Sequence, residues 1–395
     1  MRPRLKAAPL LAILAAITLP TAASAQQCGG DFAAWRAGVE AQAVAEGVGP
    51  AGRAALARAR VDERVLRRDR AQAVFTQTFR EFAGRMINEY RLVNGRRNLE
   101  KYARTFAEAQ SRFGVPGPVI ASFWALETDF GAVQGDFSTL DALTTLAHDC
   151  RRPEIFRPEL IALLKLIDRG AVPADVTGAW AGEIGQLQML PSDYLEKGVD
   201  GDGDGRVDLK GSAPDAILTA AHAIAALGWK AGQPWLDEVR VPAAMPWELA
   251  GLENRLPRSE WARLGVTARD GSPLPADALP ARLVLPMGHK GPAFLAYDNF
   301  DIYLEWNQSL VYTLTAAHLA ARFAGAPPFD PRSPEPGLAP EVMKQLQGKL
   351  AARGHDVGGI DGILGAMTRE AVRKEQMRLG LPADGWPTAS LFSRL

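Results

Sequence analysis

The sequence predicts an α+β fold that is predominantly helical, with a small strand-bearing insertion at about 236–298 and a small C-terminal module of the three-helix type. Three observations predict it. Apolar residues recur three and four apart through most of residues 31–230, and again from 301 to 323. Between 236 and 298 that period gives way to short apolar runs set among Pro and Trp. Beyond a Pro-rich stretch, residues 339–395 show short helical patterns punctuated by Asp-Gly turns. A chain of 395 residues is long enough for two or three domains, and 47% apolar with 23% charged residues is a globular composition.

The first element is a leader. Arg2, Arg4 and Lys6 precede an apolar run from Ala7 to Leu19 and the small-residue sequence Ala23-Ser24-Ala25. That is the three-part pattern of a secretory signal peptide over residues 1–25, and the run is too short and too Pro-interrupted to serve as a mature anchor. No later segment reads as a membrane span. Removal of the leader leaves 42 Lys and Arg against 45 Asp and Glu, a net charge of −3. Nothing in that balance fits a nucleic-acid partner. Cys28 and Cys150 are expected to pair in an oxidising compartment, two buried free thiols being the alternative.

Asp31 caps a first helix with Phe32, Trp35 and Val39 on one face and Gly47 at its end. Leu99, Tyr102, Phe106 and Phe113 repeat the spacing up to Gly114, as do Pro153 to Asp168 and Pro214 to Leu227. Ala281 to Leu285 and Ala293 to Tyr297 read as strands. A long helix is expected from about Asp301 to Phe323, followed by a linker over residues 326–338.

The segment from Val115 to Gly131 carries the first chemistry. Pro and Gly bracket a helix whose apolar stripe is Ile120, Phe123 and Trp124, and Glu127 falls on that inward face. A carboxyl among apolar neighbours has its charged form disfavoured, which suits a general acid. A buried Glu paired with an Arg is the structural alternative. From Trp180 to Tyr194, glycines stand where backbone must approach something closely, as in a ligand-lined cleft or a helix–helix connection.

Together these segments resemble the membrane-bound lytic transglycosylase B family of peptidoglycan-cleaving enzymes, over roughly residues 30 to 325. Trp124-Ala125-Leu126-Glu127-Thr128-Asp129-Phe130-Gly131 is similar to the catalytic-glutamate motif, and Ala181 to Tyr194 to a second, cleft-lining motif. The resemblance implies a lysozyme-like core over 26–325 with Glu127 as the single acid/base. It would cleave the β-1,4 bond between N-acetylmuramic acid and N-acetylglucosamine, leaving a 1,6-anhydro ring. Trp180, Gly185, Gln186, Gln188, Pro191, Ser192 and Tyr194 are the expected substrate-binding residues of the second motif. Trp306, Asn307 and Tyr312 resemble an aromatic-Asn-x-Ser stretch bordering the cleft. Glu183 departs from the small residue many members carry. A carboxylate facing the cleft there would favour hydrolysis.

Asp200-Gly201-Asp202-Gly203-Asp204-Gly205-Arg206-Val207-Asp208 is a calcium-loop pattern, with Asp at positions one, three, five and nine and the Arg206 carbonyl at seven. Position twelve is Gly211 rather than Glu, so Asp215 is expected to complete the shell, in line with the elongated loop of the family. Ca²⁺ would be structural. No organic cofactor is expected. The run from Gly359 to Thr368 looks like the helical peptidoglycan-binding domain of wall enzymes, and Val342, Leu346 and Leu350 form one helix face. Glu375-Gln376 replaces the usual Phe-Gln. The implied partners are glycan strands of peptidoglycan and cell-wall synthesis or division complexes, and the implied location is the periplasm.

Several other patterns carry no function. Gly47 to Gly52 spells a dinucleotide fingerprint but follows a helix rather than a strand. His148, His222, His289, His318 and His355 have no zinc-ligand spacing. Two rivals to the transglycosylase stand: a hydrolytic muramidase, and a non-catalytic, calcium-braced wall-binding scaffold.

Overall fold

The computed structural model of the chain describes residues 28–71 and 77–395. The leader expected over 1–25 lies outside the described residues. The helical body opens with α1 (Phe32–Ala45), α2 (Pro50–Arg58), α3 (Glu63–Arg70) and α4 (Phe79–Met86). Asp31 caps α1 by accepting the Ala34 amide at 2.8 Å. A disulfide joins Cys28 to Cys150, and the Gly29 amide donates to the His148 carbonyl beside it.

The single helix expected across Leu99 to Phe113 is two, α5 (Glu89–Lys101) and α6 (Ala103–Phe113). Tyr102 leaves helical geometry at φ −105° and ψ 26°, and its ring packs on Trp124. The periodicity runs on through the break because both helices wrap the same neighbour. That neighbour is α7 (Gly117–Thr128), mostly apolar and buried except at Pro118 and Glu127, with α5, α6 and two later helices, α11 (Ala213–Ala226) and α14 (Leu310–Phe323), against it. The strand β1 (Phe137–Ser138) pairs with β2 (Thr177–Gly178), flanking α8 (Thr139–His148) and α9 (Pro153–Asp168). Then come α10 (Pro191–Lys197) and α11 (Ala213–Ala226).

The insertion is a five-stranded antiparallel sheet with its own core. Its strands are β3 (Leu236–Arg240), β4 (Leu256–Pro257), β5 (Thr267–Ala268), β6 (Pro280–Val284) and β7 (Phe294–Ala296), in the order β4-β6-β7-β3-β5. The helix α12 (Arg258–Arg263) brings Trp261 into this second core, beside Leu283, Leu295 and Tyr297.

The expected helix from Asp301 to Phe323 is also broken, into α13 (Asp298–Trp306) and α14 (Leu310–Phe323). Asn307 turns extended, its side chain accepts the Ser309 amide, and Ser309 caps α14. The C-terminal module consists of α15 (Pro340–Ala352), α16 (Ala366–Arg378) and α17 (Ala389–Arg394). In α15, Met343 joins Leu346 and Leu350 in the core, while Val342 stays half-buried.

Two glutamines organise that module in the same way. The Gln347 amide donates to Asp361 and the Ile363 carbonyl and accepts the Gly362 amide; Gln376 repeats all three bonds with Asp384, Trp386 and Gly385. Glu375, where the usual motif has Phe, is buried but paired with His355 and Arg378. The module rests on the insertion, where Asp384 accepts the His289 ring and backbone and Arg369 donates to the Pro286 carbonyl, and on the linker, where Trp386 donates to the Glu335 carbonyl. Among the described residues no helix is long and apolar enough to cross a membrane.

Candidate active site

Glu127 occupies the last turn of the central helix α7. Burial pushes its carboxyl pKa above the ordinary 4.5, partly offset by hydrogen bonds from Tyr312 and Trp306. The negative end of the helix dipole acts in the same sense as burial. Tyr312 Oη donates to Glu127 Oε1 at 2.5 Å, and Trp306 Nε1 to the same oxygen at 3.0 Å. With Oε1 occupied by two donors, the acidic proton is directed to Oε2, which no donor reaches among the described residues. Trp306 is held in turn by stacking on Phe123 at 4.5 Å between ring centroids.

The chain leaves α7 by an unusual path. Asp129, Phe130 and Gly131 all have positive φ, of 51°, 61° and 86°. For Phe130 this is a strained conformation, and its place beside the carboxyl fits the tendency of such strain to gather at functional sites. Arg91 Nε donates to Asp129 at 2.7 Å, and Thr128 Oγ1 donates to the Gln186 carbonyl at 2.5 Å, which together hold the turn. Gly131, at φ 86°, takes a backbone conformation that side chains rarely adopt, and a Cβ there would press on Gln186 Oε1 at 2.7 Å.

The second segment divides by role. Trp180 lines a cleft of 1570 Å³ together with Leu304, Gln308, Ser309 and Val311. Gln186 is buried and bonded to Lys210, and Gly185 must be glycine because a Cβ would meet the Leu209 carbonyl at 2.5 Å. Ser192 spends both its amide and its hydroxyl on Glu159, just past Pro191 at the buried start of α10. Tyr194 donates to the Val207 carbonyl. Gly185, Gln186, Ser192 and Tyr194, the residues expected to line the cleft, also brace the segment from within the protein. Gln188, in a left-handed turn at φ 49°, donates to the Gly185 carbonyl and is half-exposed. Asn307 shapes the break between α13 and α14. Trp306 and Tyr312, expected to border the cleft, both donate to the acid.

Residues 31–321 match the family model of the transglycosylase SLT domain, and residues 340–395 match that of a peptidoglycan binding domain. The chain belongs to this transglycosylase family. The membrane-bound lytic murein transglycosylase B of Escherichia coli strain K12 is 31% identical over 228 residues, 57% of this chain and 61% of that protein. The chain thus spans less than two thirds of that relative. The crystal structure of SltB3 from Pseudomonas aeruginosa in complex with NAG-anhNAM-pentapeptide superposes with a TM-score of 0.85 at 39% identity, covering 93% of this chain and 99% of that one. The Escherichia coli lytic transglycosylase Slt35 in complex with calcium gives 0.63 at 28% identity, covering 75% and 96%.

Glu183 is the second carboxyl near the acid. Burial raises its pKa first, and the charge of Glu127 raises it further. Its Oε2 is buried without a hydrogen-bond partner among the described residues. The acidic loop also takes shape. Asp200, Asp202 and Asp204 converge with carboxylate oxygens within 4.8 Å of one another, a set of hard oxygens that fits a divalent cation. Asp208 and Asp215 are not in that cluster. Asp208 accepts the Lys210 and Gly211 amides, and Asp215 accepts those of Gly201, Asp202 and Asp208. They hold the loop closed, and Arg206 contributes its own amide to Asp204. Sequence reasoning missed Arg91 and Glu159, whose partners lie far along the chain, and Gln308, which stood inside the quoted stretch.

Replacing Tyr312 by Phe is expected to lower kcat roughly 10–100-fold, because the acid loses its orientation. The lost hydrogen bond stabilised the charged carboxylate, so the alkaline limb of the pH–rate profile should move upward. An unshifted profile would show that the hydroxyl does not act on Glu127.

Proposed function

We propose that the chain is a lytic murein transglycosylase, cleaving the β-1,4 bond between N-acetylmuramic acid and N-acetylglucosamine with 1,6-anhydromuramic acid as product. The observation that carries this is Glu127, a buried carboxyl whose Oε1 takes both Tyr312 and Trp306 and whose Oε2 is left for a proton. Protonated Oε2 donates to the bridging oxygen as the glycosidic bond breaks. The carboxylate then takes the proton of the muramic C6 hydroxyl as that oxygen closes onto C1. Proton and bonds balance without water, and Glu127 ends as it began.

Glu183 bears on the hydrolytic alternative. A general base for water must be ionised, and both its burial and the Glu127 charge disfavour that state. The disfavoured charge on Glu183 supports ring closure over hydrolysis. Mass spectrometry of muropeptides released from sacculi tests this: anhydro ends are expected, and reducing ends, heavier by one water, would establish a muramidase.

The cation at Asp200, Asp202 and Asp204 is Ca²⁺ in this proposal, supported by the donor set and by the calcium complex of Slt35. It would brace the loop that follows α10 and take no part in the chemistry. Residues 339–395 would bind the wall and raise local substrate concentration. The disulfide supports an oxidising location such as the periplasm.

A further inference from the structure

The short helix α3 is tied down by two buried residues. Asp69 faces inward and accepts Arg151 and Arg152, while Val65 packs in the core. That pins the opposite face, where Arg64, Arg67 and Arg68 stand at i, i+3 and i+4 and point the same way. These three line a 510 Å³ pocket with Ala71, Asp136 and Phe137. Arg68 and Ala71 also belong to the wall of the 1570 Å³ cleft that contains Trp180 and Gln308, so the two spaces adjoin. The floor is anchored to the catalytic segment, since Phe137 pairs with Gly178 across β1 and β2.

The charges in this pocket are unevenly spent. Arg64 is bonded to Asp62 and lies over the Phe137 ring at 5.0 Å, facing Asp136 as well. Arg67 and Arg68 are exposed; among the described residues neither makes a side-chain hydrogen bond or close ion pair, and the charge of Arg67 also acts on Asp62. The sequence that follows, Gln72 to Thr76, contains no acidic residue that could neutralise them. Two exposed guanidiniums, facing Asp136 across the pocket, therefore stand at the side of a cleft in a protein with no overall basic charge. Guanidinium matches a carboxylate with two parallel N–H groups.

We infer that Arg67 and Arg68 form a subsite for the carboxylates of the peptide stem carried by the muramic acid residue, with Arg64 on Phe137 as its side wall. The inference rests on the proposal that the cleft takes peptidoglycan. A glycan strand bound in this cleft would present a peptide with free carboxylates to one side, and this pocket, lined by three arginines, adjoins the cleft. Recognition here would act on binding rather than on the proton transfer, because neither guanidinium touches Glu127 or its two donors.

The test compares glycan strands bearing intact stems with strands stripped of peptide by an amidase. The Arg67→Ala/Arg68→Ala variant is expected to raise KM on stem-bearing strands by about tenfold or more, with kcat nearly unchanged. On stripped strands it should match the unaltered protein, and Arg67→Lys/Arg68→Lys should restore part of the loss. Both positions are exposed, so the melting temperature should stay the same. Equal losses on both substrates, or no loss on either, would overturn the subsite. An unaltered protein that cleaves neither substrate would overturn the catalytic proposal beneath it.

Discussion

Glu127→Gln is expected to stop the release of muropeptides from sacculi, with kcat down by on the order of 10³–10⁴-fold. The amide keeps the shape and can still accept Tyr312 and Trp306 through its oxygen, but it has no proton to give. Sedimentation with sacculi should show binding intact, because the C-terminal module lies on the insertion rather than on α7. Loss of binding as well would make Glu127 a structural residue.

The same variant has a signed effect on stability. The folded pKa of Glu127 lies above the unfolded value of about 4.5, so between those two values the folded state holds a proton that the unfolded state has released. Stability from this group is full below pH 4.5 and falls as pH rises through the folded pKa. Glu127→Gln removes the penalty, so the variant should melt higher than the unaltered protein at neutral pH and level with it at pH 4. A variant that melts lower at neutral pH would contradict the burial argument. The activity profile follows from the same shift: cleavage should fade as pH climbs past the raised pKa and the acid ionises.

Asp215→Ala is expected to be the most destabilising single change on the cleft side. The carboxylate is 1% exposed and accepts three backbone amides of the acidic loop, from Gly201, Asp202 and Asp208. Alanine strands those donors and leaves the Asp200, Asp202 and Asp204 carboxylates in a loop with nothing to hold its shape. The cost should be roughly 3–5 kcal/mol, or about 10 °C in Tm for a domain of this size. Calcium should raise the Tm of the unaltered protein and leave that of the variant unchanged, which scanning calorimetry with and without chelator measures. Asp215→Asn, which keeps one acceptor oxygen, should lose less. An equal calcium response in Asp215→Ala would show that the loop holds its shape without this residue.

How much of this was legible beforehand depends on the range of the interaction. The sequence alone determined the helical body and the strand-bearing insertion, because hydrophobic period and turn residues act within a few positions. Glu127 was legible for the same reason: an acid in the last turn of a helix with apolar neighbours is costly wherever that helix is buried. The convergence of Asp200, Asp202 and Asp204 was legible too, since alternate residues around glycines in one tight loop have few other ways to point.

Tertiary structure alone decided where polar groups were spent. Ser192 and Tyr194 stand in a segment that looks ready for a ligand, yet Glu159 and the Val207 carbonyl claim them first. Trp306 and Tyr312 read as aromatic cover for a sugar. The break at Asn307–Ser309, which periodicity ran straight over, lets both reach one oxygen of Glu127. Hydrogen bonds between residues 179 and 185 positions apart leave no mark in local spacing. A side chain's type records what it is able to bond, but its partner is settled only when the fold brings one within 3 Å.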